Sequence, residues 1–354
     1  MVPQTQKALV VPELKAPWEL RSDQPIPEPG ANEVRMKVMA TSLNLADWKV
    51  QMGLIPFVKT YPFIGGLDAA GFVDEVGENV KNVVKGDRIM CQGGWDPKHA
   101  TFQEYFLTPA DLVIKMPENL SFDEATTIPL VLATAVVPMW SKSEMGHTGM
   151  PAPWEDGGDN FKGQPALITG GSSSVGQMAI QLARMQGFSP IITTSSPKHT
   201  EHLQSLGATH VLDRALSEAD ALAAIRTITG NAGVPFAYDA IGAPQTTRVC
   251  YAALADGGAA ALMAMSLACI EDLKREGDGK RTVHPYGSFE MRGARELGRE
   301  VAARLPGWIA EGAIRPTRFE VLRGGLNGVV EGLERMARNE VSGMKLVVHP
   351  PETT

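Results

Sequence analysis

The sequence predicts an α/β protein in which a doubly wound, parallel-sheet dinucleotide-binding domain is flanked by two parts of a discontinuous β-rich domain. Three observations carry that prediction. From residue 165 onward, short apolar runs alternate with amphipathic stretches of helical length, the pattern of successive βαβ crossovers. One of those runs, PALITGG, passes through a glycine- and serine-rich turn directly into SSVGQMAIQLARMQG. Before residue 110, by contrast, strand-like segments follow one another with only turn residues between them. At 354 residues the chain is about twice the length of a common domain, which suits two cores.

The elements follow in order. VRMKVMATSLN, GGLDAAGFVDEVG, GDRIMC and TFQEYFLT read as antiparallel, barrel-forming strands, with the glycines at 65, 66, 71, 77 and 86 marking tight turns or bulges. DEATTIPLVLATAVVPMW reads as a helix with an acidic start and an apolar body. Residues 144–164 are rich in Gly, Pro and Asp and read as an exposed inserted loop. Beyond the first strand–turn–helix come SPIITTSS (strand), HTEHLQSLG (helix), THVLD (strand), SEADALAAIRTITG (helix) and PFAYDAIG (strand). The last segment holds a helix in ARELGREVAARLPGWIAEG, the strand FEVL, a helix near VVEGLERMARN and the strand MKLVVHP, and it is expected to rejoin the first domain. The expected boundaries are 1–130, 131–291 and 292–354.

Thirty-three basic and 40 acidic residues leave a net charge of −7, the wrong sign for a protein that neutralises a phosphate backbone, so nucleic acid is not an expected partner. The run from Ile128 to Trp140 is broken by Pro129 and Pro138 and is shorter than the ~20 residues of a membrane span, and the first twenty residues carry four charges and no secretory h-region. Cys91, Cys250 and Cys269 do not form a disulfide framework. A reducing, cytosolic compartment is the expectation.

The strongest chemical signal is LITGGSSSVGQMAIQLARMQG. Small residues let the backbone approach a pyrophosphate, whose charge meets free amides and the positive end of the following helix. Gly171, Ser172, Ser173, Ser174, Val175 and Gly176 match G-x-G-x-x-G at the first and last glycine, with Ser173 in the middle place. About twenty residues on, where a carboxylate would hold the ribose 2′-hydroxyl of NAD, the sequence offers Thr194, Ser195, Ser196, Lys198 and His199. Hydroxyls and a cation suit a 2′-phosphate, so NADPH is the expected cofactor.

In these segments, together with ATSLNLADWKVQMG, GLDAAGFVDEVGENVKNVVKGDRI, FQEYFLTP, ENLSFDEATTIP, LGATHVLD, DAIG and SGMKLVV, the chain resembles the medium-chain dehydrogenase/reductase superfamily over nearly its full length. It is most similar to the zinc-independent quinone oxidoreductase and enoyl reductase branch, including fungal trans-acting enoyl reductases. The resemblance implies a GroES-like catalytic domain split between the chain ends, a central nucleotide domain, and an active site in the cleft between them.

The resemblance also bears on metals and catalysis. Where zinc alcohol dehydrogenases of the superfamily carry a cysteine and a His-Glu pair, this chain has Asn44 and Leu67-Asp68, and the cysteine-rich structural lobe is missing, so no metal is expected. His199, Glu201, His202 and His210 lack the spacing of a zinc helix. By analogy Asp47 and Lys49, after the apparent end of a strand, are the catalytic candidates that face the cleft, and Lys49 binds the cofactor's ribose or nicotinamide edge or donates a proton; the alternative is a surface cation paired with Asp47. Thr134 matches a threonine that contacts the nicotinamide end, the alternative being a hydroxyl bonded to the preceding helical turn. Of Trp48, Phe57, Tyr61, Trp95 and Trp140, no more than two are expected to line a substrate pocket. The implied reaction is NADPH-dependent reduction of activated C=C bonds in α,β-unsaturated carbonyl compounds. The rivals are quinone reduction, reduction of a carrier-bound polyketide, and nucleotide binding without catalysis, in a monomer or homodimer.

Overall fold

The computed structural model describes residues 4–56, 58–142 and 147–354. Phe57, one of the aromatic candidates, and residues 144–146 of the expected loop lie outside them. Contacts divide the chain into two units, one of residues 1–130, 299–311 and 316–354, the other of residues 131–298 and 312–315.

The first unit is built from strands. β1 (Thr5–Val11) pairs antiparallel with β2 (Glu19–Pro25), and β3 (Glu33–Ser42) runs into a short helix, α1 (Leu45–Gln51). After β4 (Phe63–Ile64) come β5 (Asp68–Val76), β6 (Arg88–Gln92), β7 (Tyr105–Pro109) and β8 (Ile114–Lys115). β4 joins β1, which makes a three-stranded sheet β2-β1-β4. Val34, Met36 and Val38 of β3 and Ala69 and Val73 of β5 share one core with Ile89 and Phe106. The stretch expected as one helix forms two: α2 (Phe122–Ala125), capped by Ser121, and α3 (Pro129–Trp140), which starts at its proline. Proline at the first helical position sacrifices no hydrogen bond, so the break falls there. The stretch from Phe122 to Trp140 is apolar enough by length and composition to cross a membrane, yet 78% of its apolar window is buried in the protein.

The second unit holds β9 (Ala166–Thr169), α4 (Ser174–Met185), β10 (Ile191–Ser195), α5 (Thr200–Leu206), β11 (His210–Asp213), α6 (Glu218–Thr229), β12 (Val234–Asp239), α7 (Pro244–Ala253), β13 (Leu254–Leu262) and β14 (Arg281–Val283). Its six strands are all parallel, in the order β11-β10-β9-β12-β13-β14. That is the doubly wound arrangement, whose topological switch point lies between β9 and β12. The inserted loop, expected to be exposed, is anchored over its described residues. Trp154 meets Trp140 edge-on at 5.4 Å, and Gln186 Nε2 donates to the carbonyls of Pro151 and Gly158. An aromatic side chain and a buried amide override the polar composition that suggested a free loop.

α8 (Arg295–Ala310) carries the return to the first unit, so the crossing falls inside a helix rather than at 292. Residues 312–315 stay with the second unit because Arg184 donates to the carbonyls of Gly312 and Ala313, and Gln181 accepts the N–H of Arg315. β15 (Phe319–Val321), α9 (Asn327–Ala337) and β16 (Lys345–Val348) complete the first unit, where the large sheet runs β15-β16-β3-β5-β6-β8, with β7 also on β3.

Candidate active site

The turn after β9 forms as its residue types dictate. Gly170 adopts φ +71°, a conformation that costs glycine little. A Cβ on Gly171 would overlap the Thr193 hydroxyl, and one on Gly176 would overlap the Gly170 carbonyl, so both glycines let helix and strand close on each other. Ser173 takes the N-cap of α4 and its hydroxyl accepts the N–H of Gly176 at 3.0 Å. Serine in the middle position of the glycine pattern therefore strengthens the helix start. Ser172, Ser173, Ser174 and Val175 are half-buried, at the end of the sheet where open α/β folds bind ligands.

The next strand end braces this turn. Thr194 Oγ1 accepts the N–H of Gly170 at 3.1 Å, and its carbonyl accepts that of Gly171. The Ser195 hydroxyl is buried and has no hydrogen-bond partner among the described residues. Ser196 is half-buried, Lys198 is exposed and in no ion pair among the described residues, and His199 is buried. Thr134 sits on α3 in the same unit, and its carbonyl accepts the Tyr238 hydroxyl at 2.8 Å.

Asp239, at the end of β12, was passed over in the sequence except as the first letter of DAIG. Its fully buried Oδ1 accepts the Thr169 hydroxyl at 2.9 Å and the N–H groups of Ile241 and Gly242 at 3.0 and 3.1 Å, while Oδ2 accepts the Thr247 hydroxyl at 2.7 Å. It ties the turns after β9 and β12 together across the switch point. The exposed Ile241 side chain lies against Gly170, where a Cβ would collide with it. An acid that ends a strand and is followed by a glycine three residues on, here Gly242 with its positive φ, is the signal that could have found it.

In the other unit Lys49 stands in the last turn of α1, on a helix rather than at a strand end, half-buried with its Nζ 6.0 Å from the Trp48 ring centroid. Asp47 is fully buried and is not its partner. Asp47 Oδ2 accepts the N–H of Asn44 at 2.8 Å and Oδ1 that of Gly66 at 3.2 Å. Burial pushes its carboxyl up to about 7, against the two amides that favour the charged form; the nearby Asp68 adds to the rise. The competing picture of Lys49 as a cation paired with Asp47 therefore loses its partner.

The aromatic candidates divide. Trp140 is core, its indole N–H donating to Gln186 Oε1 at 2.7 Å, whereas Trp48, Tyr61 and Trp95 are half-buried around α1. The three cysteines form no disulfide; Cys91 and Cys250 are buried, and burial holds the Cys250 thiol high.

The residues present do not fit a zinc ion. Leu67 offers no donor, and Asn44 and Asp68 are hydrogen-bonded to the ammonium of Lys345. Among the described residues no group of three His, Cys, Asp or Glu side chains gathers.

Comparison with known proteins identifies the family. Residues 30–118 match the alcohol dehydrogenase GroES-like domain family, and residues 174–301 match the family described as zinc-binding dehydrogenase. The chain is 30% identical to a trans-enoyl reductase of Penicillium citrinum over 98% of each protein. It is 32% identical to one of Aspergillus sclerotiorum, covering 92% of this chain and 95% of that one. Among solved structures it resembles the CurK enoyl reductase (TM-score 0.78, 22% identity, 98% and 99% covered). It also resembles mycobacterial Rv1454c, solved with NADPH (TM-score 0.76, 23% identity, 98% and 100% covered).

Proposed function

Because the chain belongs to the enoyl reductase branch of the medium-chain dehydrogenase/reductase superfamily, we propose that it is an NADPH-dependent, zinc-independent reductase of C=C bonds conjugated to a carbonyl. The observation that carries this reading is the likeness to trans-enoyl reductases along the whole chain, together with the capped glycine turn that opens α4.

The residues fit a dinucleotide. Gly171 and Gly176 leave room for close backbone approach, and the capped start of α4 favours a pyrophosphate. The orphaned Ser195 hydroxyl and the unpaired Lys198 suit a 2′-phosphate, and the strand end carries no carboxylate that would repel it. When bound, NADPH supplies a hydride to the β carbon of the acceptor. The chain's part is to stabilise the enolate oxygen and to deliver a proton to the α carbon, and Lys49 is the group proposed for that proton, recharged from solvent. Asp47, sealed beneath the helix, serves by holding Asn44 and Gly66 around it.

A second reading concerns the size of the substrate. Leu45 is 50% exposed, Leu54 is 59% exposed, and Met52 and Leu14 are also exposed, all on or beside α1. Such a concentration of exposed apolar side chains beside Lys49 favours a long acyl chain, as on a carrier-bound polyketide, over a small quinone. The test is NADPH oxidation with enones, quinones, aldehydes and carrier-bound enoyl chains, with product analysis. Saturated carbonyl products support the proposal; activity confined to quinones or aldehydes overturns it.

A further inference from the structure

A buried ion pair under α1 has no part in the reaction as described, and it involves Asn44 and Asp68, the positions at which the resemblance places metal ligands in zinc-dependent relatives. Register builds it. β16 pairs Val347 with Ser42 of β3, so two residues further Lys345 comes opposite Asn44, the residue that opens α1. β3 pairs Thr41 with Ala69 of β5, which brings Ser42 opposite Asp68. Three neighbouring strand ends thus deliver Lys345, Asn44 and Asp68 to one spot.

The Lys345 ammonium donates to Asp68 Oδ2 at 2.6 Å and to Asn44 Oδ1 at 3.0 Å. Asn44 Nδ2 donates to the same Asp68 oxygen at 2.8 Å, and Ser42 Oγ lies 3.3 Å from it. The other Asp68 oxygen accepts the N–H of Leu130 at 2.7 Å. The lysine side chain is 3% exposed and the aspartate fully buried. Lysine is almost never buried to this degree unless paired, and a pair stripped of water persists only when hydrogen bonds satisfy both ends, as here. The carboxylate of Asp47 faces the same cluster from α1, separated from it by Asn44. The Asn44 amide group bridges the cation and the anion.

We propose that the Lys345 ammonium is a resident cation that takes the place of a metal ion. It neutralises Asp68 and fixes Asn44 at the head of α1, and through that helix it positions Lys49. Being buried, it acts through other residues and is a positioning residue. The inference rests on the reading of Lys49 given above as far as turnover is concerned; the cation itself is testable without it.

The experiment compares Lys345→Met and Lys345→Ala with the wild type, each assayed for enone reduction and thermal unfolding with and without butylammonium or butanol. Lys345→Met should lower kcat at least about 10-fold, a positioning loss, with the NADPH KM held within about 2-fold because the nucleotide turn is made elsewhere. Butylammonium should raise both kcat and Tm of Lys345→Ala, while butanol, equal in length but neutral, should raise neither. Where Lys345→Met does not fold, the double variant Asp68→Asn/Lys345→Met removes both charges together and should fold with low kcat and no response to the amine. Wild-type kcat and Tm in Lys345→Met, or equal rescue of Lys345→Ala by amine and alcohol, overturns the proposal. A wild type without enone reduction overturns the functional reading instead, and the Tm response of Lys345→Ala then decides the cation.

Discussion

Asp47 accepts the backbone N–H of Asn44 at 2.8 Å, so the carboxylate three residues into the α1 turn closes over the residue that opens it. The contact is fully buried and the carboxyl is pushed up to about 7, well above its ordinary 3.8. Between those two values the folded protein binds a proton that the unfolded chain does not. Stability should therefore be highest at low pH as far as Asp47 is concerned, fall as pH rises from about 4 to 7, and level off above. The whole effect amounts to a few kcal/mol, about 4 at most. Asp47→Asn should flatten this fall at the cost of one hydrogen bond, about 1 to 3 kcal/mol. Urea midpoints for both proteins at pH 5, 6, 7 and 8 measure it, and parallel curves would refute the assignment.

Preference for NADPH over NADH rests on the orphaned hydroxyl of Ser195 and the exposed Lys198. A charge-assisted hydrogen bond is worth about 1.5 to 3 kcal/mol, so Lys198→Ala should weaken NADPH binding about 10- to 150-fold and leave NADH unchanged. Ser195→Ala should act in the same direction and less strongly. Titration of both nucleotides by fluorescence gives the dissociation constants. Equal affinities in the wild type would count against the preference.

For Lys49 the split between constants identifies its task. Lys49→Ala should lower kcat on enones by about 10²- to 10⁴-fold if the lysine delivers the proton. A pure nucleotide contact would raise the NADPH KM and leave kcat nearly intact. No change in either would return Lys49 to the protein surface.

Asp239 accepts two backbone N–H groups and two hydroxyls from a fully buried position. Asp239→Ala leaves all four donors without an acceptor, at about 1 to 3 kcal/mol each before relaxation. The expected outcome is a marked loss of Tm and weaker nucleotide binding together, since the turns after β9 and β12 share this anchor. Asp239→Asn keeps an oxygen and should lose less of both. Differential scanning fluorimetry with and without NADPH reads the two effects. A stable Asp239→Ala that binds normally would show that the turns hold themselves.

Elemental analysis of the purified protein should find well under one zinc per chain, with enone reduction unaffected by a chelator. The motive is the ammonium seated on Asp68 and Asn44 and the donor-less Leu67. Stoichiometric zinc that a chelator removes along with activity would overturn it.

Local pattern was enough wherever an element and its function lie in one continuous segment. The nucleotide turn was legible because strand, glycines, cap and helix follow one another from Ala166 to Met185, and each residue answers a constraint set by its immediate neighbours. β1 and β2 were missed, and so was β13. The sequence of β13, LADGGAAAL, is rich in Ala and Gly, which seldom favour strands, and only burial between β12 and β14 makes it one. The burial of Asp47 was not legible in NLADWK, because nothing local says which side of a short helix is sealed.

By itself, then, the sequence determined the alternation of strands and helices around the nucleotide site, the nucleotide turn and the carboxylate-free strand end beside it, because hydrophobic period, turn chemistry and capping act over a few residues. Only the tertiary structure decided that Lys345 meets Asp68 277 residues away and Asn44 301 residues away. A surface lysine and a buried one are identical letters. What separates them is the loss of water around the charge, and that is set by which strands pair and in what register.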